Sequence, residues 1–388
     1  MFDLKIAGGT MLDGTGGAPR RADLGITGDR IEAVGDLAHE RAGRTLDVAG
    51  LTVTPGFIDI HSHSDWRLWG NRRAESKIRQ GVTTEVVGNC GFSPAPVSDA
   101  FRHEMRGFAL YLPESMDFSW NSTRDYLRRY EDEGVALNVV QLIGHGTLRV
   151  AAMGFARRAP TAHEQATMER LMDESMADGA AGLATGLIYA PGSYAATDEI
   201  VGIARRAGAA RGFYASHIRG EGATLLDAVR EAIQIGREAG LPVQVSHIKA
   251  AGRAHWGRVK DALALIDAAR AEGLDVRADV YPYTASSTSL RTLMPDWVLE
   301  GGIEAMLGRL TDPASRARIR SEISRGAGIL SRGIGWEDVM IAYAVARPDA
   351  QGRRVSEIAA ARGQDPLDAA MDLLVDEGGK GSVILFQL

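Results

Sequence analysis

The sequence predicts an α/β chain: a (β/α)8 TIM-like barrel lacking its eighth strand, joined to a small N-terminal β-sandwich half. Three observations predict it. From Val53 onward, short apolar runs alternate with helix-like stretches, the pattern of βαβ units. Seven runs read as strands, at 56–61, 83–90, 135–145, 180–187, 212–217, 243–247 and 274–281, and no eighth is evident. Most end on a histidine, cysteine or tyrosine, and side chains at the carboxyl ends of parallel strands are where such a barrel places its site.

In chain order, residues 1–52 alternate runs such as Leu4-Lys-Ile-Ala with turn clusters such as Asp13-Gly-Thr-Gly-Gly. These are small strands with too few apolar residues to fold alone, so they form part of a sheet completed elsewhere. Gly14-Thr-Gly-Gly is no dinucleotide loop, because the third glycine of that fingerprint falls on Pro19 and no helical pattern follows. Residues 53–290 make the barrel. Pro55 and Gly56 mark the entry to its first strand, and Phe57, Ile58 and Ile60 fit a strand buried on both faces. The clearest helix is 221–239, where Leu225, Ala228, Val229, Ala232, Ile233 and Gly236 share a face before Gly240 stops it. Residues 291–388 read as a mostly helical insertion, with starts at Asp312-Pro and Asp365-Pro, leading through the strand-like run 381–388 to what reads as a truncated end.

Composition excludes several classes. The 388 residues, 45% hydrophobic, can bury a large core. A net charge of −6, with 44 basic residues scattered among 50 acidic ones, leaves no basic stripe for nucleic acid. No run reaches membrane-spanning length, and Met1-Phe-Asp-Leu-Lys-Ile begins no signal peptide. The single Cys90 has no disulfide partner within the chain. A cytoplasmic protein with a small-molecule partner is expected, and the oligomeric state is open.

The chemistry starts at His61-Ser-His63. In a strand, residues i and i+2 project to one face, so two imidazoles can meet one metal ion. Tyr214-Ala-Ser-His217-Ile-Arg219 and Val243-Gln-Val-Ser-His247-Ile-Lys249 repeat one local pattern about one βα unit apart, placing His217 and His247 at the mouth of the same barrel. Cys90 ends the second strand, and a thiolate within reach of imidazoles is a strong zinc ligand. Four histidines and a cysteine exceed one four-coordinate site, so one or two ions fit. His39, His103, His163 and His255 read as surface residues, and His145, after the third strand, reads either as pocket-lining or as structural.

These residues resemble the amidohydrolase superfamily and, within it, the N-acyl-D-amino-acid deacylases (D-aminoacylases). The resemblance is carried by Thr54-Pro-Gly-Phe-Ile-Asp-Ile-His-Ser-His-Ser-Asp, Gln80-Gly-Val-Thr-Thr-Glu-Val-Val-Gly-Asn-Cys-Gly-Phe-Ser, Gly182-Leu-Ala-Thr-Gly-Leu, Ser246-His-Ile-Lys and Tyr281-Pro-Tyr-Thr-Ala-Ser-Ser. It implies that Cys90, His217 and His247 hold a tight zinc ion and that His61 and His63 form a weaker second position. It also implies that Lys249, Tyr281 and Ser287 grip the substrate carboxylate. The implied activity is zinc-dependent hydrolysis of the amide bond of N-acyl-D-amino acids to a carboxylate and a D-amino acid. The family's general-base aspartate lies on an eighth strand and is expected beyond Leu388, so no residue is assigned to that role. Two rival readings are an inactive zinc-binding fragment of such an enzyme and a cyclic amidase of the hydantoinase or dihydroorotase type; the resemblance around Cys90 weighs against the second.

Overall fold

The computed structural model describes residues 1–108, 118–326 and 333–388. Residues 327–332, within the expected helical segment, lie outside the described residues. The chain divides into two compact units, residues 1–58 with 79–83, and residues 59–78 with 84–388.

The first unit contains short strands: β1 (Phe2–Ala7), β2 (Thr10–Met11), β3 (Arg20–Arg21), β4 (Asp23–Thr27), β5 (Arg30–Gly35), β6 (Ala42–Asp47) and β7 (Thr52–Val53). They form a four-stranded sheet, β5-β4-β1-β6, and a three-stranded one, β3-β2-β7. Carboxylates stitch their turns: Asp3 accepts from Gly28 N at 2.7 Å and Asp23 accepts from Gly8 N at 2.8 Å. Such side-chain bonds between distant turns add to the few ladder hydrogen bonds that strands this short can make.

In the longer part of the chain, strands β8 (Phe57–Asp59), β9 (Val82–Val87), β10 (Asn138–Gly144), β11 (Gly182–Gly186), β12 (Phe213–His217), β13 (Val243–Val245) and β14 (Val276–Ala278) form one sheet in chain order. The pairings β9–β10 through β13–β14 are all parallel. Helices fill the crossovers: α1 (Glu75–Ile78), α2 (Arg102–Phe108), α3 (Thr123–Glu133), α4 (His145–Met153), α5 (Ala162–Ala177), α6 (Thr197–Ala209), α7 (Leu225–Ala239) and α8 (Val259–Ala271). Because strand side chains alternate, Ile143, Leu183 and Tyr214 pack outward on Met168, Ile200 and Val229. One residue along, Leu142, Ala184 and Ala215 join Val86 in a separate small core on the other face. Burying each large apolar side chain contributes about 1.5–3 kcal/mol.

Helix α7 buries the face expected of it and ends at Gly240, whose φ of +68° suits glycine. Its start is corrected from 221 to Leu225, because Gly220 and Gly222 flank Glu221 and leave that residue in the loop. The expected burial of Phe57 and Ile58 is also corrected: they are 56% and 66% exposed, since β8 is an edge strand with a neighbour on one side only.

After β14 come β15 (Ser286–Ser289), α9 (Gly302–Thr311), α10 (Pro313–Ser324), β16 (Val339–Tyr343), α11 (Val355–Arg362), α12 (Pro366–Asp376) and β17 (Ser382–Leu385). Asp312 and Asp365 cap α10 and α12, as their Asp-Pro pairs predict. The run at 381–388 supplies β17, the middle strand of an antiparallel sheet β15-β17-β16, over a core that includes Leu293, Met306, Ile341, Leu373 and Val383. Among the described residues, no helix is long and apolar enough to cross a membrane.

Candidate metal centre

Four of the five expected ligands are gathered by the carboxyl ends of strands in the seven-stranded sheet. Cys90 follows β9, His217 ends β12, His247 lies two residues past β13 and His61 two past β8. The Cys90 loop is pressed onto its neighbours: a Cβ at Gly88 would stand 2.0 Å from Leu142 O, and one at Gly91 2.5 Å from Gly186 N. Cys90 and His247 both have positive φ, +55° and +37°. Such conformations cost on the order of 1–3 kcal/mol and persist only where surrounding contacts enforce them.

Cys90 Sγ lies 3.4 Å from His61 Nε2 and 3.6 Å from His247 Nε2, and His247 Nε2 lies 2.9 Å from His217 Nδ1. Two four-coordinate zinc ligands, one sulfur and one nitrogen, stand about 3.6 Å apart by bond length and tetrahedral angle. Both sulfur–nitrogen separations match that spacing. Among the described residues, two sets of candidate ligand atoms each fall within 4.8 Å of one another: His61, Cys90 and His247, and His217, Glu221 and His247. His217 Nε2 is buried and, among the described residues, has no hydrogen-bond partner, with Glu221 3.7 Å away.

Carboxylates stand behind the donors. Glu221, 3% exposed, lies 3.1 Å from His247 Nδ1 and binds the Lys249 ammonium. Asp279 accepts from His247 N at 2.7 Å and from Gln244 Nε2 at 2.8 Å, and lies 3.2 Å from His61 Nδ1. A carboxylate on the far nitrogen fixes the tautomer and ring orientation of a metal-binding histidine. Exchanging Glu221 for glutamine is therefore expected to weaken zinc binding by roughly 10–100-fold, read by chelator competition; unchanged affinity would remove Glu221 from this role.

The electrostatics favour a cation. Burial alone would raise the Cys90 thiol, but the charges of His61 and His63 and hydrogen bonds from His217 and His247 hold it well below the ordinary thiol value. Burial would lower His61, yet the Cys90 thiolate and Asp279 raise it to about 10. Burial and the neighbouring His247 depress His217 to about 4. A divalent ion would displace the proton that His61 holds, and its two charges would balance the excess of the Cys90 thiolate, Glu221 and Asp279 over the Lys249 ammonium.

The remaining expected site residues lie at different removes. His63 is exposed, its ring centroid 5.4 Å from that of His61, and it belongs to neither set of candidate ligand atoms. The strand geometry expected for this pair does not apply, because β8 ends at Asp59 and both histidines follow it in a loop. Lys249 is buried; its Nζ reaches His247 Nδ1 and His247 O, both at 2.9 Å, and lies 5.5 Å from the Tyr281 ring centroid. Ser287 is exposed on β15 opposite Ile384, and among the described residues no hydrogen bond links it to the histidines. His145 is fully buried, with Nε2 2.8 Å from Glu199 Oε1.

Sequence reasoning missed Glu221 and Asp279. Both were hidden by element boundaries: Glu221 inside an expected helix, Asp279 inside an expected strand that in fact ends at Ala278. The glycines around Glu221 were the available signal.

Strands of one α/β sheet bring a thiolate and imidazoles to one point, with buried Glu221 and half-buried Asp279 behind them, an arrangement suited to a divalent metal ion. A profile of the amidohydrolase family matches residues 44–320, and the chain belongs to that family. D-aminoacylase of Alcaligenes xylosoxydans xylosoxydans is 44% identical over 290 residues, 75% of this chain and 59% of that protein. N-acyl-D-glutamate deacylase of the same organism is 38% identical over 374 residues, 96% of this chain and 68% of that protein. The crystal structure of the N-acyl-D-glutamate deacylase of Bordetella bronchiseptica, complexed with zinc and a phosphonate inhibitor, superposes with a TM-score of 0.82 at 34% identity, covering 100% of this chain and 72% of that one. The chain thus spans between about three fifths and three quarters of the length of these relatives.

Proposed function

We propose that the chain carries the chemistry of a zinc-dependent N-acyl-D-amino-acid deacylase, hydrolysing the amide bond to a carboxylate and a D-amino acid. The observation that carries this reading is the Cys90 thiolate with His61 and His247 at zinc-ligand spacing. The relatives' names, D-aminoacylase and N-acyl-D-glutamate deacylase, support the substrate class. In this reading Cys90, His217 and His247 hold the tight ion, and His61 and His63 a weaker one. His61 stands as near the thiolate as His247 does, so the two positions share Cys90. The fold reading that accompanies it is a (β/α)8 barrel represented by seven strands, with the N-terminal sheets as half of a β-sandwich. A cytoplasmic setting fits the single thiol.

Bound zinc would polarise the acyl carbonyl and supply hydroxide near neutral pH. The protein's own groups do the rest. Glu221 orients His247, Asp279 orients His61, and Lys249 with Tyr281 holds the substrate carboxylate, so that one stereoisomer turns its amide toward the donors. Ser287 is the third carboxylate contact of this reading. Glu221 and Asp279 are both engaged, with Lys249 and with His247 and Gln244 respectively, so neither is given the general-base role.

The test is hydrolysis of N-acetyl-D-methionine and its L isomer by the purified chain, followed by chromatography. Turnover of the D isomer alone, abolished by a chelator and restored by zinc, is the expected result. Stoichiometric zinc without turnover of either isomer would mean an inactive zinc-binding fragment.

A further inference from the structure

Beneath the His61 loop lies a buried carboxylate that the chemistry above does not use. Val86 packs into the small core shared with Leu142, Ala184 and Ala215, so its neighbour Glu85 projects to the opposite face of β9. Its side chain is fully buried there. Among the described residues, three donors converge on its Oε1: the hydroxyls of Ser62 at 2.8 Å and Ser64 at 2.9 Å, and the Lys77 ammonium at 3.1 Å. The two hydroxyls also lie 2.8 Å from each other.

These contacts tie down alternate residues of His61-Ser-His-Ser64. Ser62 N donates to Val86 O at 3.0 Å, and Ser64 N donates to the Ser62 hydroxyl at 3.3 Å. Asp59, itself paired with Lys77, accepts from His61 N at 3.1 Å. No strand ladder fixes His61, because β8 ends at Asp59. Its Nε2 nevertheless stands 3.4 Å from Cys90 Sγ, a spacing that a shift of about 1 Å would spoil. Stability alone does not call for a charge beneath this loop. Well-packed apolar side chains often replace a buried ion pair without loss, because taking charges out of water is expensive. What the carboxylate adds is direction: it draws both serine hydroxyls to one point and so fixes the backbone that carries His61.

We propose that Glu85 is a positioning residue, which through Ser62 and Ser64 holds His61 at the weaker metal position. The inference rests on the reading that His61 is a ligand there, and it names what sets that ligand's geometry.

The test is zinc titration of the metal-free chain by competition against a chromogenic chelator. The unsubstituted chain is compared with the double variant Ser62→Ala with Ser64→Ala, which keeps Glu85 paired with Lys77. It is also compared with Glu85→Met, which leaves Lys77 its Asp59 partner, and with His61→Ala. Circular dichroism and urea unfolding check each fold. The unsubstituted chain is expected to bind two zinc equivalents, and His61→Ala to lose the weaker. The serine and Glu85 variants are both expected to weaken that equivalent by about tenfold or more, with the tight one within about threefold of the unsubstituted chain. A weaker equivalent held within about threefold in both variants, or equal weakening of the two equivalents, overturns the positioning role and leaves His61 a ligand. Loss in one of these variants alone breaks the path from Glu85 through the serines and overturns it as well. If Glu85→Met does not fold, the serine variant decides by itself. A weaker equivalent that survives His61→Ala, or a single equivalent in the unsubstituted chain, overturns the reading of His61 and the inference with it.

Discussion

Alanine at position 90 is expected to lower zinc affinity by about 10²–10³-fold, one ligand's share of a structural zinc site's binding free energy. In the set His61, Cys90 and His247, Cys90 is the donor that brings a formal negative charge, and its neighbours hold it as the thiolate. The variant keeps His61, His217 and His247, so it retains a weak imidazole site. Zinc affinity is read by competition against a chromogenic chelator, and hydrolysis of N-acetyl-D-methionine is expected to fall with zinc occupancy. Affinity within about threefold of wild type would show that the thiol is not a ligand.

The second large effect lies away from the metal. Arg149 is fully buried, and its guanidinium binds both carboxylate oxygens of Glu199, which also meets His145. Replacing Glu199 with leucine leaves a buried cation with only the carbonyls of Ala156 and Arg158, and is expected to destabilise the chain by about 3–5 kcal/mol in urea unfolding. The double variant Arg149→Met with Glu199→Leu is expected to recover much of this, since an apolar pair can replace a buried ion pair. Equal instability of the two variants would refute the uncompensated charge as the cause. The pH dependence has a definite sign. Burial would raise the Glu199 carboxyl, but His145 and Arg149 outweigh it and hold the group below its ordinary value. The stabilisation is therefore present above the ordinary carboxyl pKa and disappears as pH falls through the depressed folded value.

Much of this was legible in the sequence, and the misses have physical causes. The central strands announced themselves because both of their faces are covered, which demands continuous apolar runs. Strand β15 did not: Ser286-Ser-Thr-Ser289 has no apolar pattern and is a strand because β17 pairs with it. Cys90, His217 and His247 could be placed because strand ends converge in this kind of sheet. Glu221 and Asp279 could not, because their roles depend on where an element stops, and loop packing rather than periodicity sets that. His145 was left open between a pocket-lining and a structural reading, because its ring is committed to Glu199, a partner 54 residues away that no local pattern reveals.

The His61–Asp279 contact has a consequence for assembly. These residues follow the first and last strands of the seven-stranded sheet, which do not pair with each other, yet their side chains lie 3.2 Å apart. The metal donors and their buttresses thus enclose more than half of the chain in a single loop. An ion held by His61, Cys90, His217 and His247 would close only once the sixth strand, β13, is in place, and the His61–Asp279 contact only once the seventh is. Metal content is then expected to report, in one number, whether the run from His61 to His247 has assembled.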